Sequence, residues 1–351
     1  MFGIRGKRNR GTALVAGVAA AALVLSACGG SDGDDNGGGS GDSDVIVGLA
    51  YDIGGRGDQS FNDSAAAGLD KAEKEFGFTI REAEATDGET NDAKAERLRQ
   101  LADEGANPVI AVGFAYAEPL KTVAAEYEDV HFAIVDSTDV KADNITNLVF
   151  AENEGSFLVG VIAGLKTKTN NVGFVGGVQT PLIEKFQAGY EAGVKAANPA
   201  ATVQVAYITQ PPDFSGFGDE INGEKVAKGQ FDNGADIIFQ AAGGSGGGVF
   251  KAAKAAGKSA IGVDSDQYNT ASPEVRDVII SSMLKRVDTA VYDFLKKEND
   301  GDFTAGPVTY DLKTDGVGYS TSGGKIDDIK SKVDDYKKQI IDGKITVPTA
   351  P

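Results

Sequence analysis

From residue 45 almost to the end of the chain, short apolar runs alternate with longer segments whose apolar positions recur at helical spacing. The first pattern belongs to strands buried on both faces and the second to amphipathic helices, so their alternation predicts βαβ units built on a parallel sheet. Strands are predicted at 45–51, 78–84, 108–112, 131–135 and 147–151, with helices near 64–76, 92–104 and 118–127. A second series follows: helix 153–165, strand 172–175, helix 181–197, strand 202–208, helix 219–231, strand 235–240, helix 247–256 and strand 259–263. The tail adds a strand at 277–282, a helix at 285–297, short strands at 308–312 and 317–319, and an amphipathic helix over 325–341. Two doubly wound series and a shared tail predict an α/β fold of two parallel-sheet lobes joined by a multi-strand hinge. Crossings are expected near 152, 264–266 and 301–306, giving a first lobe of 45–151 plus about 265–303 and a second of 152–264 plus about 304–351. Such a layout suits hinge closure on a ligand between the lobes.

The residues before this pattern have another purpose. Arg5, Lys7, Arg8 and Arg10 precede an apolar stretch at 12–25 that is too short to span a bilayer comfortably. The stretch runs into Leu25-Ser26-Ala27-Cys28-Gly29, the form of a bacterial lipobox. A signal peptide over 1–27, lipidation of Cys28 and a flexible acidic linker over 28–44 are therefore expected. Cys28 is the only cysteine, so the processed chain would hold neither disulfide nor free thiol. The formal net charge is −18, and removing the basic leader deepens it. That acidity excludes nucleic acid as a partner, and it leaves membrane attachment to the acyl chains. A monomer on the extracytoplasmic face of the cell membrane is the expectation.

Ligands of open α/β sheets bind beyond the carboxyl ends of the strands. The first strand ends at Asp52 and leads into a glycine-bearing loop with Asp58, Phe61 and Asn62, a set of acceptors, an amide and a flat apolar face. That set suits a polar ring-bearing small molecule such as a nucleoside. Other predicted strands end at Asp136, at Asp264 and at the run Gly243–Gly248. The glycine run lacks both phosphate-loop spacings, so close backbone approach to a neutral ligand fits it better. Helix 285–297 would put Lys285 in a first turn, where the macrodipole disfavours a cation, so another reason for it is expected. His131 is the only histidine and opens a predicted buried strand. With no cysteine nucleophile and no marked carboxylate pair, neither an enzyme nor a metal or other cofactor is expected. A calcium-dependent hydrolase using Asp52, Asp58 and Asp136 is the catalytic alternative, and a ligand-sensing lipoprotein the other.

The lipobox, the block from Tyr51 to Asn62, Phe132-Ala-Ile-Val-Asp136, Phe217-Gly-Asp219 with Gly223-Glu-Lys225, and Ser281-Ser-Met-Leu-Lys285-Arg286-Val287-Asp288 together resemble the basic membrane protein family of lipoproteins. The likeness covers 45 to about 341. It implies a periplasmic-binding-protein type I-like fold, a substrate-binding role beside an ABC transporter permease, and a purine nucleoside ligand. Carried over, Asp52 and Asp264 would accept from the ribose hydroxyls and Lys285 would donate to the same sugar. Phe61 would stack on one face of the base and Phe217 on the other, with Phe214 an alternative. Asp136, with Asn62 nearby, would read the base edge, and Gly243 or Gly244 would let backbone close on the sugar. The segment from Gln210 to Phe217 is longer than the resemblance leads one to expect.

Overall fold

A computed structural model describes residues 44–86 and 88–351, so the predicted signal peptide, Cys28 and the linker up to residue 43 lie outside the described residues. In chain order the first series is β1 (Ile46–Ala50), α1 (Phe61–Phe76), β2 (Thr79–Ala83), α2 (Asn91–Asp103), β3 (Val109–Ala111), α3 (Ala117–Glu126), β4 (Phe132–Val135) and β5 (Ile145–Phe150). The second is α4 (Glu152–Lys166), β6 (Asn171–Val178), α5 (Pro181–Ala197), β7 (Thr202–Thr209), α6 (Glu220–Asp232), β8 (Ile237–Ala241), α7 (Gly246–Ala256), β9 (Ser259–Asp264), α8 (Gln267–Thr270) and β10 (Ile279–Lys285). The tail is α9 (Val287–Asp300), β11 (Gly306–Tyr310), β12 (Val317–Tyr319) and α10 (Lys330–Ile341).

The strands form two six-stranded sheets, ordered β11-β5-β4-β3-β1-β2 and β12-β10-β9-β8-β6-β7. The two orders match place for place, β1 to β5 standing where β6 to β10 stand in the other sheet. All pairings are parallel except β10 with β12. Central strands such as β3 and β4 are buried at every residue, which is why their sequences are uniformly apolar rather than alternating. Among the described residues no helix is long and apolar enough to cross a membrane.

The lobe limits differ from the expected ones at two of the three crossings. The first passes from β5 through Ala151 into α4 at Glu152. The segment expected to leave the second lobe at 265 stays in it through β10, which pairs with β9, and the chain returns only at α9, packed on α1. The third crossing falls after β11, which adds to β5 in the first sheet, instead of before it. A fully buried parallel strand carries no mark of which sheet it completes, so apolar pattern alone could not place β10 and β11.

Helices α4 and α5 pack unusually closely. A Cβ on Gly160 would stand 2.2 Å from the Tyr190 carbonyl oxygen, and one on Gly193 would stand 2.0 Å from that of Phe157. Only glycine lets the two backbones touch at these points. Asn153, in the first turn of α4, also donates from its amide to the Val347 carbonyl at 2.9 Å, so the end of the chain holds the start of this helix.

Candidate functional site

The carboxyl ends of both sheets open on one cavity of about 560 Å³, counting its mouth. Its lining draws on β1, β3 and β4 through Asp52, Gly113 and Asp136, and on β8, β9 and β10 through Ala241, Asp264 and Lys285. Loops and helix starts add Asp58, Phe61, Asn62, Phe114, Phe186, Gly243 and Phe217. The mixture of rings with a few convergent polar groups is typical of small-molecule sites.

The loop from β1 to α1 is held by its own side chains. Asp58 accepts backbone N–H groups from Ser60, Asn62 and Asp63 at 2.8, 2.8 and 3.1 Å, so it caps α1 from outside the helix. The helix accordingly begins at Phe61, earlier than the predicted 64. Asn62 is buried; its Oδ1 accepts from the Asp52 N–H at 3.0 Å, and its Nδ2 donates to the Ile53 carbonyl and to Asp58. Its donors are therefore committed to the loop, and its face on the cavity is a by-product of fixing Asp52. Gly113, with φ +106°, lies against Asp52, where a Cβ would come within 2.3 Å of Oδ2. Burial pushes the Asp52 carboxyl up to about 6, against the opposing hydrogen bond from the Ile53 N–H.

Asp136 and Asp264 both stand at strand ends in the left-handed region, with φ 69° and 61°. Such backbone is tolerated by Asp better than by most residues and recurs where function demands an exact placement. Asp264 accepts from the Ser60 hydroxyl at 2.6 Å, a bond between the lobes. Burial pushes its carboxyl up to about 6, opposed by the charge of Lys285 and by the Ser60 bond. Asp136 Oδ2 is 2.5 Å from Lys285 Nζ, also between the lobes, while Asp136 Oδ1 is buried with no hydrogen-bond partner. Further bonds join the lobes around residue 60: Ser265 Oγ to the Ser60 carbonyl at 3.0 Å, and Gln267 Nε2 to the Gln59 carbonyl at 3.0 Å. The lobes are thus in contact beside the cavity.

Lys285 is not in a helix. It is the last residue of β10, and the helix begins at Val287, which removes the conflict with the macrodipole. Its side chain is 2 % exposed and faces a second carboxylate, Glu152 Oε1, at 3.7 Å. Burial alone would pull the ammonium's pKa down, but Asp136, Glu152 and Asp264 outweigh it and raise it. Burial pushes the Glu152 carboxyl up, opposed by Lys285.

Of the residues singled out from sequence, Asp52, Phe61, Asn62, Asp136, Phe217, Gly243, Asp264 and Lys285 line the cavity together, and Gly244 lies outside the lining. Phe217 rather than Phe214 faces the space; Phe214 packs edge-on against Phe114, with ring centres 5.9 Å apart. Sequence reasoning missed Phe186 and Glu152. Phe186 stands in the second turn of α5 and lines the cavity, while Glu152 opens α4 outside the lining and faces Lys285; both helices follow strand ends, a position that could have drawn attention to them. Among the described residues no group of three or more His, Cys, Asp or Glu is arranged to hold a metal ion.

Two matching parallel sheets that present their carboxyl edges to one shared cavity define a two-lobed solute receptor of the periplasmic-binding-protein type. The chain belongs to the Bmp family, whose profile, described as ABC transporter substrate-binding protein PnrA-like, matches residues 46–350. It is similar to the CD4+ T-cell-stimulating antigen of Listeria innocua, 38% identical over 95% of this chain and 97% of the relative. It is also similar to the ABC transporter nucleoside-binding protein BmpA of Lactococcus lactis, 35% identical over 88% of this chain and 90% of that one. Among solved structures, an ABC transporter solute-binding protein from Aeropyrum pernix superposes with a TM-score of 0.76 at 28% identity, covering 87% of this chain and 93% of its own.

Proposed function

We propose that this protein captures a purine nucleoside in the interlobe cavity and hands it to an ABC transporter permease, working as a monomer tethered outside the cell membrane by a lipid on Cys28. The observation that carries the reading is the pairing, in one cavity, of the acceptors Asp52 and Asp264 with the rings Phe61 and Phe217. A ribose diol is matched by carboxylate acceptors, whose charge-assisted hydrogen bonds are roughly twice as strong as neutral ones. A base stacked on an aromatic ring gains about 1–3 kcal/mol per face in nucleic-acid complexes. The partnerless Asp136 Oδ1 supplies an acceptor for a base-edge N–H, and the remaining protons of Lys285 stay free to meet a sugar oxygen. The nucleoside-binding relative from Lactococcus lactis supports the same ligand class.

The test is calorimetric titration of the soluble chain with inosine, guanosine and adenosine. Binding is expected for at least one, and Asp52→Ala or Asp264→Ala is expected to weaken it about tenfold or more, since each leaves a buried hydroxyl unpaired. Wild-type affinity in both variants overturns the site. The anchor is tested separately: Cys28→Ala is expected to release the protein from membranes to the medium.

A further inference from the structure

Lys285 belongs by backbone to one lobe and by ion pair to the other. Its strand is in the second sheet, yet its ammonium is held by Asp136 at 2.5 Å and stands 5.0 Å from the ring centre of Phe61 and 5.1 Å from that of Phe150, all three on the first lobe. Parting the lobes takes those three away together. An ammonium that loses a carboxylate partner has to regain one or be hydrated. Two carboxylates travel with Lys285: Asp264, which closes β9 beside β10, and Glu152, at the head of α4, which packs on β10. Asp264 is engaged by the Ser60 hydroxyl of the other lobe, whereas Glu152 is 1 % exposed, points Oε1 at Nζ from 3.7 Å, and meets Lys185 at a looser 3.5 Å through its other oxygen. So short a displacement of one ammonium exchanges one carboxylate partner for the other.

We propose that Glu152 is a positioning residue of the ligand site: it takes the Lys285 ammonium when the lobes part and yields it to Asp136 when they close. Glu152 thereby stabilises the open receptor more than the closed one, and sets how readily a ligand is released. A population shift of this kind changes apparent affinity by the change in the competent fraction. Only the release measurement below rests on the nucleoside reading; the ligand-free measurement does not.

The experiment compares wild type, Glu152→Gln and Glu152→Asp as the soluble chain, by small-angle scattering without ligand and by stopped-flow release of inosine. Glu152→Gln is expected to shrink the ligand-free radius of gyration toward that of the inosine-bound wild type and to slow release about three- to tenfold, as a population shift predicts. Glu152→Asp, which keeps the charge but shortens its reach, is expected to fall between. Mere structural damage would speed release instead of slowing it. A folded Glu152→Gln with wild-type radius and release rate, or with faster release, overturns the proposal. Should Glu152→Gln fail to fold, the same two readouts on Glu152→Asp decide it. If no form binds inosine, the nucleoside reading fails while the ligand-free scattering still decides the role of Glu152.

Discussion

Asp136 and Asp264 hold matching places in the two sheets, one just past β4 and the other closing β9, with nearly the same left-handed backbone. Each reaches across to the opposite lobe, but their partners differ in kind. Asp136 meets a buried cation, Lys285, whereas Asp264 meets a neutral hydroxyl, Ser60. Matching folds thus place matching side chains, and the partner alone decides what each can do. The first junction is an ion pair that neither side can abandon without a substitute. The second is a single hydrogen bond to a carboxyl already pushed up to about 6, easily remade around an incoming hydroxyl.

The largest expected effect breaks the first junction. Lys285→Met strands Asp136 as a buried, uncompensated carboxylate, leaves Glu152 with Lys185 as its cation, and is expected to lower the unfolding free energy by about 3–5 kcal/mol in denaturant titrations. Asp264→Asn is the contrasting case. It is expected to change stability by about 1 kcal/mol or less while weakening nucleoside binding about tenfold or more. Equal losses of stability in the two variants would erase the distinction between the junctions.

Acid sharpens it next. Asp52 and Asp264 are pushed up to about 6 by burial, above their ordinary carboxyl value, so the folded state binds these protons more tightly than the unfolded one. Melting temperature of the ligand-free protein is therefore expected to rise as pH falls from 7 to about 5, through the folded values. Over the same range calorimetric affinity is expected to fall, because a diol is held by the charged acceptor. Glu89 sets the lower limit: burial pushes its carboxyl up, but Arg97 and Lys94 hold it down at about 2. Its contribution is present above the unfolded value and drains away only as pH drops below about 4.5 toward 2.

The smallest effect on binding is expected at His131. Its ring stacks on Phe303 with centres 3.8 Å apart and its Nδ1 lies 2.9 Å from Glu298, and it is not part of the cavity lining. His131→Ala should cost about 1–2 kcal/mol of stability and leave affinity unchanged in the same titrations.

Much of this was legible in the chain. The helix from Pro181 to Ala197 and the strand from Val317 to Tyr319 agree with their predicted limits, because proline, glycine and β-branched residues punctuate them. Asp52, Asp136 and Asp264 stood out because an acid followed an apolar run where a strand had to end, Phe61 because it brought a flat ring into the first such loop, and Lys285 because a cation sat awkwardly in a predicted first helical turn. Three things were not legible. The sheet membership of β10 and β11 depends on contacts distant in sequence. Asn62 looks like a ligand reader, but its donors serve its own loop. Glu152 looks like an ordinary acid in a helix's first turn, where the macrodipole welcomes one; that it is sealed inside facing Lys285 is a property of the packed lobes alone.

The glycines between α4 and α5 carry one more consequence. With no side chain to slide on, the two helices behave as a single plank: one end is Glu152, at the turning point of the chain, and its second member bears Phe186. Rotation begun at Ala151 would then sweep a whole aromatic wall away from the solute in one stroke, so access would be gated by the body of the lobe and not by any small flap.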